Sequence, residues 1–255
     1  MNITGNTILV TGGSSGIGFE MARQFVTRKN KVIITGRDGK KLQNAKQQLG
    51  EVTAIRNDVG NPDDVEKLYE LVAKNFPDLN ILINNAGIMQ MINLQDNNLS
   101  TMELTKEIDI NLKGTILMSN VFLPLLKHNN NPAIINVSSG LAFVPLPVVP
   151  VYCSTKAAIH SYSLSLRAQL RNTDVKVFEL TPPLTKTGLI GGFAEEDIKG
   201  IPIMPAEDLV AAFLKGLAKD EYEIRPGQAG LLRFMSRFFP NFILRQLSKS
   251  VDRLH

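Results

Sequence analysis

Tryptophan is absent from this chain of 255 residues, aromatic residues make up only 6% of it, and Cys153 is its single cysteine. One thiol excludes an internal disulfide and is typical of a reducing compartment. The position of Cys153 beside Tyr152 leaves a redox role open. We favour a buried structural thiol, because free cysteines are among the most buried residues.

Long apolar runs are also missing. The most apolar stretch, residues 141–151, is short and contains Pro145, Pro147 and Pro150, so it cannot form a membrane-spanning helix. The first residues lead directly into a strand-like run, without the charged and apolar regions of a secretory signal. We therefore expect a cytoplasmic protein.

Patterns that bind metals or nucleic acids are lacking as well. His128, His160 and His255 are scattered, and no second cysteine supports zinc spacing, so we predict no metal site. The formal net charge is +4, and residues 229–255 alone account for it. Because the preceding body is neutral, nucleic acid is a poor candidate partner. The charged residues of this tail are Arg233, Arg237, Arg245, Asp252, Lys249 and Arg253.

The chain does have a regular alternation of strand-like and helix-like segments. Aliphatic and β-branched runs without polar alternation predict buried parallel strands at 7–10, 31–35, 52–57, 80–84, 133–137 and 175–180. Helices are predicted at 16–28, 39–49, 62–75, 102–127, 152–172 and 206–219, with a seventh strand near 221–225.

This order predicts an α/β fold, a single doubly wound Rossmann-type domain whose parallel sheet of about seven strands carries helices on both faces. The length leaves no room for a separate substrate domain. We assign residues 1–228 to the catalytic domain. Residues 229–255 form a basic amphipathic tail that is either part of the same domain or a flexible extension.

A glycine-rich turn follows the first strand and opens the first helix. Gly12, Gly16 and Gly18 leave backbone amides accessible at a helix N-terminus, where the dipole favours a pyrophosphate. The spacing differs from G-x-G-x-x-G, but its position in a β-α-β unit predicts dinucleotide binding.

Tyr152 and Lys156 supply proton chemistry thirteen residues after Ser139. One helical turn apart, they point the same way. The ammonium favours the phenolate, so we expect it to lower the tyrosine pKa toward a working value. Ser139 offers a hydroxyl for a substrate oxygen. A solvated i,i+4 pair is the ordinary alternative for the tyrosine and lysine.

Together these segments resemble the short-chain dehydrogenases/reductases over nearly the whole chain. The turn from Thr11 to Gly18 is similar to the family's cofactor turn, and Asn84-Asn85-Ala86-Gly87 to its motif after the fourth strand. The residues that resemble its catalytic tetrad are Asn111, Ser139, Tyr152 and Lys156. The resemblance implies an oxidoreductase that transfers hydride between a nicotinamide and a carbonyl or secondary alcohol.

The resemblance also implies roles. Tyr152 would be the general acid-base, Ser139 would position the reacting oxygen, and Lys156 would hold the nicotinamide ribose while lowering the tyrosine pKa. Asn111 would anchor a water in a proton relay, and Asp58 would contact adenine. Alternatively, Asn111 caps or kinks a helix and Ser139 is a turn hydroxyl.

One departure follows the sixth strand, where the family usually has Pro-Gly and this chain has Pro182-Pro183. The second proline removes an amide and fixes a dihedral angle, so the loop is stiffer. Thr185 and Thr187 still match positions that face the nicotinamide carboxamide. The double proline and residues 151–158 are most similar to the DltE-type branch of the family, a resemblance that supplies no substrate.

The cofactor is predicted to be NADP, with NAD as the alternative. Gly36 stands where a carboxylate would bind the ribose of NAD, and Arg37 suits a 2′-phosphate. Asp38 could bind that ribose instead, but we favour a helix cap. The complete predicted cofactor set is Gly12, Ser14, Ser15, Gly16, Ile17, Gly18, Arg37, Asp58, Val59, Asn85, Ala86, Gly87, Tyr152, Lys156, Pro182, Thr185 and Thr187.

The predicted substrate wall is apolar, which favours a small hydrophobic carbonyl or alcohol. We expect residues 188–200 to form a flap over the cleft, unless they only pack as ordinary loop. The wall residues are Phe143, Val144, Leu146, Val148 and Val149, and the flap residues that could close on the ligand are Ile190, Phe193 and Met204.

Apolar residues recur at helical spacing in the tail, around Pro240, with basic residues between them. This tail could pack over the cleft or join subunits into a homodimer or homotetramer, which we favour, or rest on a membrane surface.

The sequence is compatible with three functions. We favour the oxidoreductase over a non-catalytic dinucleotide-sensing regulator and over a tail-directed peripheral membrane protein.

Overall fold

A computed structural model describes residues 1–96, 99–191 and 201–251. Seven strands form one parallel sheet in the order β3-β2-β1-β4-β5-β6-β7. They are β1 (Thr7–Thr11), β2 (Lys31–Gly36), β3 (Val52–Arg56), β4 (Leu79–Asn84), β5 (Ala133–Val137), β6 (Lys176–Leu180) and β7 (Glu223–Ile224). The predicted doubly wound α/β fold is confirmed.

Helices connect the strands and cover both faces of the sheet. They are α1 (Gly16–Val26), α2 (Gly39–Leu49), α3 (Pro62–Asn75), α4 (Thr101–Glu107), α5 (Gly114–Lys127), α6 (Pro150–Gln169), α7 (Ala206–Ala218), α8 (Ala229–Phe238) and α9 (Pro240–Ser248). None of the described helices is long and apolar enough to cross a membrane.

The central strands are buried along their whole length, because helices pack on each side. Successive side chains of a strand point to opposite faces, so Ile8 and Val10 join the cluster that includes Phe25 of α1 and Phe213 of α7. Leu9 joins the opposite cluster, beside Phe122 of α5. These two apolar layers fix the strand ends that carry the site.

The predicted single helix 102–127 is wrong in one respect. A π-helical segment, Ile108–Lys113, separates α4 from α5. Its Asn111 side chain is tied to the backbone of Ile88, from which it accepts a hydrogen bond at 2.8 Å and to which it donates one at 2.9 Å. π-Bulges of this kind are frequent at functional sites. The predicted seventh strand is also shorter than expected, because only Glu223–Ile224 pairs with β6.

Candidate active site

The strand order reverses between β1 and β4, and at this edge a cleft of about 1240 Å³ opens at the carboxyl ends of the strands. Ligands of open parallel sheets bind at such a switch point. All but one of the seventeen predicted cofactor residues line the cleft; the exception is Gly18. A Cβ at Gly18 would lie 2.4 Å from the Asn85 Nδ2 atom, so this glycine allows close packing beneath the turn.

The glycine turn has the shape of a phosphate cradle. Gly12 has a φ of +66°, and a Cβ there would lie 2.9 Å from the Ala86 Cα atom. Gly16 opens α1 with a φ of +57°. The Asn85 amide donates to the Thr11 carbonyl at 2.9 Å and joins the turn to the loop after β4. Backbone amides at the start of α1 therefore face the cleft without side chains in the way, which fits a dinucleotide.

The four predicted catalytic residues come from three elements and meet at one end of the cleft. Ser139 follows β5, Tyr152 and Lys156 lie on α6, and Asn111 lies in the π-helical segment. A Cβ at Gly87 would lie 3.3 Å from the Asn111 Oδ1 atom and 3.6 Å from the Lys156 Nζ atom. Asn111 is fully buried and does not line the cleft. Its side-chain amide donates hydrogen bonds to the Ile88 carbonyl and, at 3.2 Å, to the Thr155 hydroxyl.

Tyr152 and Ser139 form the reactive surface. Both residues line the cleft, and the Ser139 hydroxyl lies close enough to the Tyr152 phenol to lower its pKa. Ser139 also accepts from the Leu141 N–H at 3.1 Å, so it serves as a turn hydroxyl as well. The Lys156 Nζ atom donates to the Val137 carbonyl at 2.9 Å and lies 5.6 Å from the centre of the Tyr152 ring.

Burial dominates the electrostatics of this pair. It raises the pKa of Tyr152 above its usual range, and the hydrogen bond with Ser139 offsets only part of that effect. Burial lowers the pKa of Lys156 to about 8. The expected fall of the tyrosine pKa toward a working value is therefore wrong for this geometry, because desolvation of an enclosed phenol penalises the phenolate.

Glu107 is a charged residue at the site that the motifs did not predict. Its side chain is fully buried, and its carboxyl accepts from the Gln90 N–H at 2.8 Å. Burial raises the pKa of Glu107, while the nearby Lys156 ammonium opposes that rise. In turn, Glu107 raises the pKa of Lys156 and of Tyr152. Its sequence position in the last turn of α4 gives no sign of this burial.

The far end of the cleft is basic. Arg37, Lys41 and Arg56 line it, and the Arg56 Nε atom donates to the Arg37 carbonyl at 3.1 Å. The Asp38 carboxylate caps α2, where it accepts from the N–H groups of Lys40 at 2.9 Å and Lys41 at 3.1 Å. The prediction that Asp38 is a cap is confirmed. Lys41 and Arg56 were not predicted, because Lys41 is one of two adjacent lysines in the first turn of α2 and Arg56 is distant from Arg37 in sequence.

The loop after β6 borders the other end. The Pro182 carbonyl accepts a hydrogen bond from the Gly140 N–H at 2.8 Å. This bond connects the double-proline loop to the turn that carries Ser139. The Thr185 hydroxyl donates to the Pro183 carbonyl at 2.8 Å, and the Thr187 hydroxyl accepts from the Leu189 N–H at 3.3 Å.

Three of the five predicted wall residues, Val144, Leu146 and Val148, line the cleft, and two do not. The Phe143 ring packs edge-on against His160, with 5.0 Å between ring centres. Val149 is fully buried in the cluster behind Tyr152.

Of the predicted flap, Gly188–Ile190 form a short 3-10 turn, whereas Phe193 lies outside the described residues. Met204 does not line the cleft. Its N–H donates to the Leu184 carbonyl at 2.9 Å, and its side chain contacts Gly227.

Cys153 and His160 do not line the cleft. Burial raises the pKa of the Cys153 thiol to about 11, which agrees with a structural role. The His160 Nδ1 atom lies 2.7 Å from the Glu179 Oε2 atom. In the described ranges, no group of three or more His, Cys, Asp or Glu residues could hold a metal ion.

The tail helices reach the cleft. Leu232 of α8 and Leu247 of α9 line its mouth, together with Gln246, Lys249 and Ser250. A Cβ at Gly140 would lie 3.0 Å from the Leu232 Cδ1 atom, so α8 packs on the turn beside Ser139. The tail thus contributes to the substrate side of the site.

Comparisons with known proteins agree with this geometry. The chain is 42% identical over 239 residues to a Bacillus subtilis protein called uncharacterized oxidoreductase DltE, covering 93% of this chain and 94% of that protein. A short chain dehydrogenase from Burkholderia cenocepacia, solved in complex with NADP, is similar with a TM-score of 0.83 at 26% identity, covering 97% and 99% of the two chains.

A second solved structure is 3-ketoacyl-(acyl-carrier-protein) reductase from Brucella melitensis, complexed with NADH. It has a TM-score of 0.77 and 27% identity, covering 84% of this chain and 91% of that chain. The family model described as short chain dehydrogenase matches residues 6–197. This chain therefore belongs to the short-chain dehydrogenase/reductase family and is an oxidoreductase of that family.

Proposed function

We propose that the protein is an NADP-dependent oxidoreductase that interconverts a carbonyl and a secondary alcohol, with Tyr152 as the general acid-base. The observation that carries this proposal is that Ser139 and Tyr152 both line the cleft, with the Lys156 Nζ atom 5.6 Å from the centre of the phenol ring.

The raised pKa of Tyr152 keeps the phenol protonated at neutral pH. A protonated phenol donates to a carbonyl oxygen as negative charge develops on it, which favours Tyr152 as the acid in the reductive direction. Ser139 holds the same oxygen. The nicotinamide, when bound, supplies or accepts the hydride.

Lys156 and Asn111 position the proton donor. The Lys156 ammonium is fixed by the Val137 carbonyl, where it can stabilise a phenolate once the proton has left. Asn111 fixes the loop after β4 through Ile88, and a water anchored beside it would complete the proton relay. We propose that Gly12, Gly16 and the backbone after β4 hold the pyrophosphate and the nicotinamide ribose.

NADP is the preferred cofactor in this proposal. Arg37, Lys41 and Arg56 form a basic end of the cleft, and the carboxylate of Asp38 is occupied by the amides of α2. A guanidinium attracts a 2′-phosphate that a free carboxylate would repel. The related protein from Burkholderia cenocepacia is in complex with NADP, whereas the one from Brucella melitensis is with NADH, so NAD is the alternative.

An apolar carbonyl or alcohol fits the wall formed by Val144, Leu146 and Val148. We further propose a cytoplasmic location, because the single cysteine suits a reducing compartment. Assembly as a homodimer or homotetramer stays a prediction. The regulator alternative is disfavoured, because the proton donor and its supporting residues are all in place.

The test is turnover of a panel of apolar carbonyls with NADPH. Tyr152→Phe should reduce turnover by roughly 10³-fold, because a positioned acid contributes about that much, and should leave NADPH affinity unchanged. Tyr162→Phe, on the same helix and outside the cleft, is the matched control and should retain turnover. Undiminished turnover in Tyr152→Phe would show that another group is the acid.

A further inference from the structure

The tail helices contact the body through few side chains and leave most of their surface exposed. On α8, Ala229 is fully buried and Leu232 contacts the turn beside Ser139. Large apolar side chains along both helices are exposed. We call these exposed side chains the tail patch, which comprises Leu231, Phe234, Phe238, Phe239, Phe242 and Leu244.

The tail patch is unusual in its exposed aromatic area. Phe234 and Phe238 are 52% and 59% exposed, and their ring centres lie 4.7 Å apart. Phe239 and Phe242 are 52% and 55% exposed. Phenylalanine has no polar group to keep in water, so such a cluster indicates a surface that binds something.

The charge around the tail patch has one sign. Residues 229–251 contain four cations and no Asp or Glu. Arg233 pairs with Glu223, but Arg237, Arg245 and Lys249 form no ion pair with any described residue. Arg237 directly precedes Phe238, and Arg245 lies one turn after Phe242.

The positive charge of the tail favours an anionic membrane surface, rather than a second copy of the chain, as the occupant of the tail patch. A symmetric contact between two copies would place the same cations against each other, which is unfavourable. Amphipathic helices with aromatic and basic residues and without acids are suited to an interface with anionic headgroups. We propose that the tail patch docks the protein on the surface of a membrane that carries anionic lipids.

The position of the tail patch next to the cleft also indicates a substrate class, and this part of the inference rests on the proposed function. The cleft is lined by Leu232 and Leu247 of the same two helices and by Lys249 just after them, together with the half-exposed Leu189 and Ile201. A docked tail therefore faces the cleft mouth toward the headgroup region. The substrate class is an amphiphilic carbonyl or alcohol that partitions into lipid.

The experiment is co-sedimentation of the full chain with vesicles. Binding should be strong with vesicles of phosphatidylglycerol and phosphatidylcholine, weak with phosphatidylcholine alone, and reduced by salt, because about 8 Å is the screening length at physiological ionic strength. Equal binding to both vesicles, or none to either, would overturn the proposal.

Two sets of variants locate the contact. Phe234→Ser with Phe238→Ser should weaken binding more than about 10-fold, because exposed rings no longer enter the interface. Met102→Ser is the apolar control, since Met102 is 81% exposed on α4. Arg237→Gln with Arg245→Gln should weaken binding roughly 30-fold, given the usual contribution of a basic residue near anionic lipid. Lys127→Gln with Arg171→Gln is the charge control. Equal losses in variants and controls would contradict a defined patch.

Sedimentation velocity of the same variants tests the competing occupant. A dimer that the phenylalanine double variant dissolves, without vesicle binding by the wild type, would assign the patch to a second copy and overturn the proposal. Turnover of soluble carbonyls separates this inference from the proposed function. Turnover without vesicle binding would contradict only the proposed membrane docking. Vesicle binding without turnover would contradict only the proposed oxidoreductase chemistry.

Discussion

In the cofactor half of the cleft, Gly12, Asn85 and Lys156 are fixed by close backbone contacts and hydrogen bonds. The substrate half is lined by loop and tail side chains, of which Val144 is buried and Leu232 is partly exposed. The first half has little freedom to vary, because one added carbon would meet the backbone. The second half can change its lining without disturbing the sheet. Such a division lets one scaffold retain its chemistry while its substrate changes.

Gly12→Val tests the rigidity of the cofactor half and should have the largest effect. The added Cβ would meet the Ala86 Cα atom at 2.9 Å in a left-handed backbone. We expect NADPH affinity to fall by more than about 100-fold, since strain and overpacking of this kind cost several kcal/mol. Fluorescence titration measures it.

Gly5→Val is the matched control, because Gly5 has a φ of +67° but open space around its Cβ position. It should lower thermal stability and leave NADPH affinity unchanged. An equal loss of affinity in both variants would mean that backbone strain, and not the close approach to Ala86, limits the turn.

Arg37→Ala tests whether the cofactor half prefers NADPH over NADH. Loss of the guanidinium should weaken NADPH binding by roughly 10- to 100-fold and leave NADH binding nearly unchanged, because a charged hydrogen bond contributes about 1.5–3 kcal/mol. The ratio of the two affinities is the measurement. Lys40→Ala, a neighbouring exposed lysine outside the cleft, should not change that ratio.

Leu232→Ala probes the substrate half. Removing this side chain from the cleft mouth should raise the KM for apolar carbonyls by roughly 5-fold, as expected for a few lost methylene contacts, without changing NADPH affinity. Leu231→Ala, its exposed neighbour in the tail patch, is the control and should leave KM unchanged in the absence of vesicles. If Leu232→Ala weakened NADPH binding equally, the two halves would not be separable.

Glu107→Gln should shift a pH profile and have the smallest effect on rate. The pKa of Lys156 is lowered by burial to about 8, and the carboxylates of Glu107 and Glu179 oppose that lowering. Activity should therefore fall as the pH rises through about 8 and the ammonium is lost. Without the Glu107 charge, this alkaline limb should move to lower pH.

The profile of kcat/KM against pH for the wild type, Glu107→Gln and the exposed control Glu66→Gln is the measurement. If the alkaline fall in kcat/KM occurs at the same pH in Glu107→Gln as in the wild type, Glu107 carries no charge next to Lys156.

Much of this comparison could be predicted from the sequence, for a physical reason. The glycine turn and the alternation of strands and helices depend on local backbone geometry and on periodicity, which a sequence displays directly. The tetrad was identified through the resemblance to the family. Asp38 could be predicted as a cap because capping involves only the next residues. The adjacent Arg37 was predicted from its position just past the second strand.

What depends on tertiary contacts could not be predicted. The predicted direction of the Tyr152 pKa was wrong because burial, which is set by the surrounding elements, is the largest cause of its shift and raises it. The π-helical segment is fixed by hydrogen bonds between Asn111 and Ile88, which are far apart along the chain. Phe143 was misplaced because it packs on His160, a contact that helix periodicity does not reveal.

A crystal structure of the protein with NADP and a carbonyl inhibitor tests the assignment most directly. We predict that the inhibitor oxygen lies within hydrogen-bonding distance of the Tyr152 and Ser139 hydroxyls, with C4 of the nicotinamide about 3–3.5 Å from the carbonyl carbon and the 2′-phosphate against Arg37. A ligand bound at this edge of the sheet with its carbonyl directed away from Tyr152 would contradict the proposed chemistry.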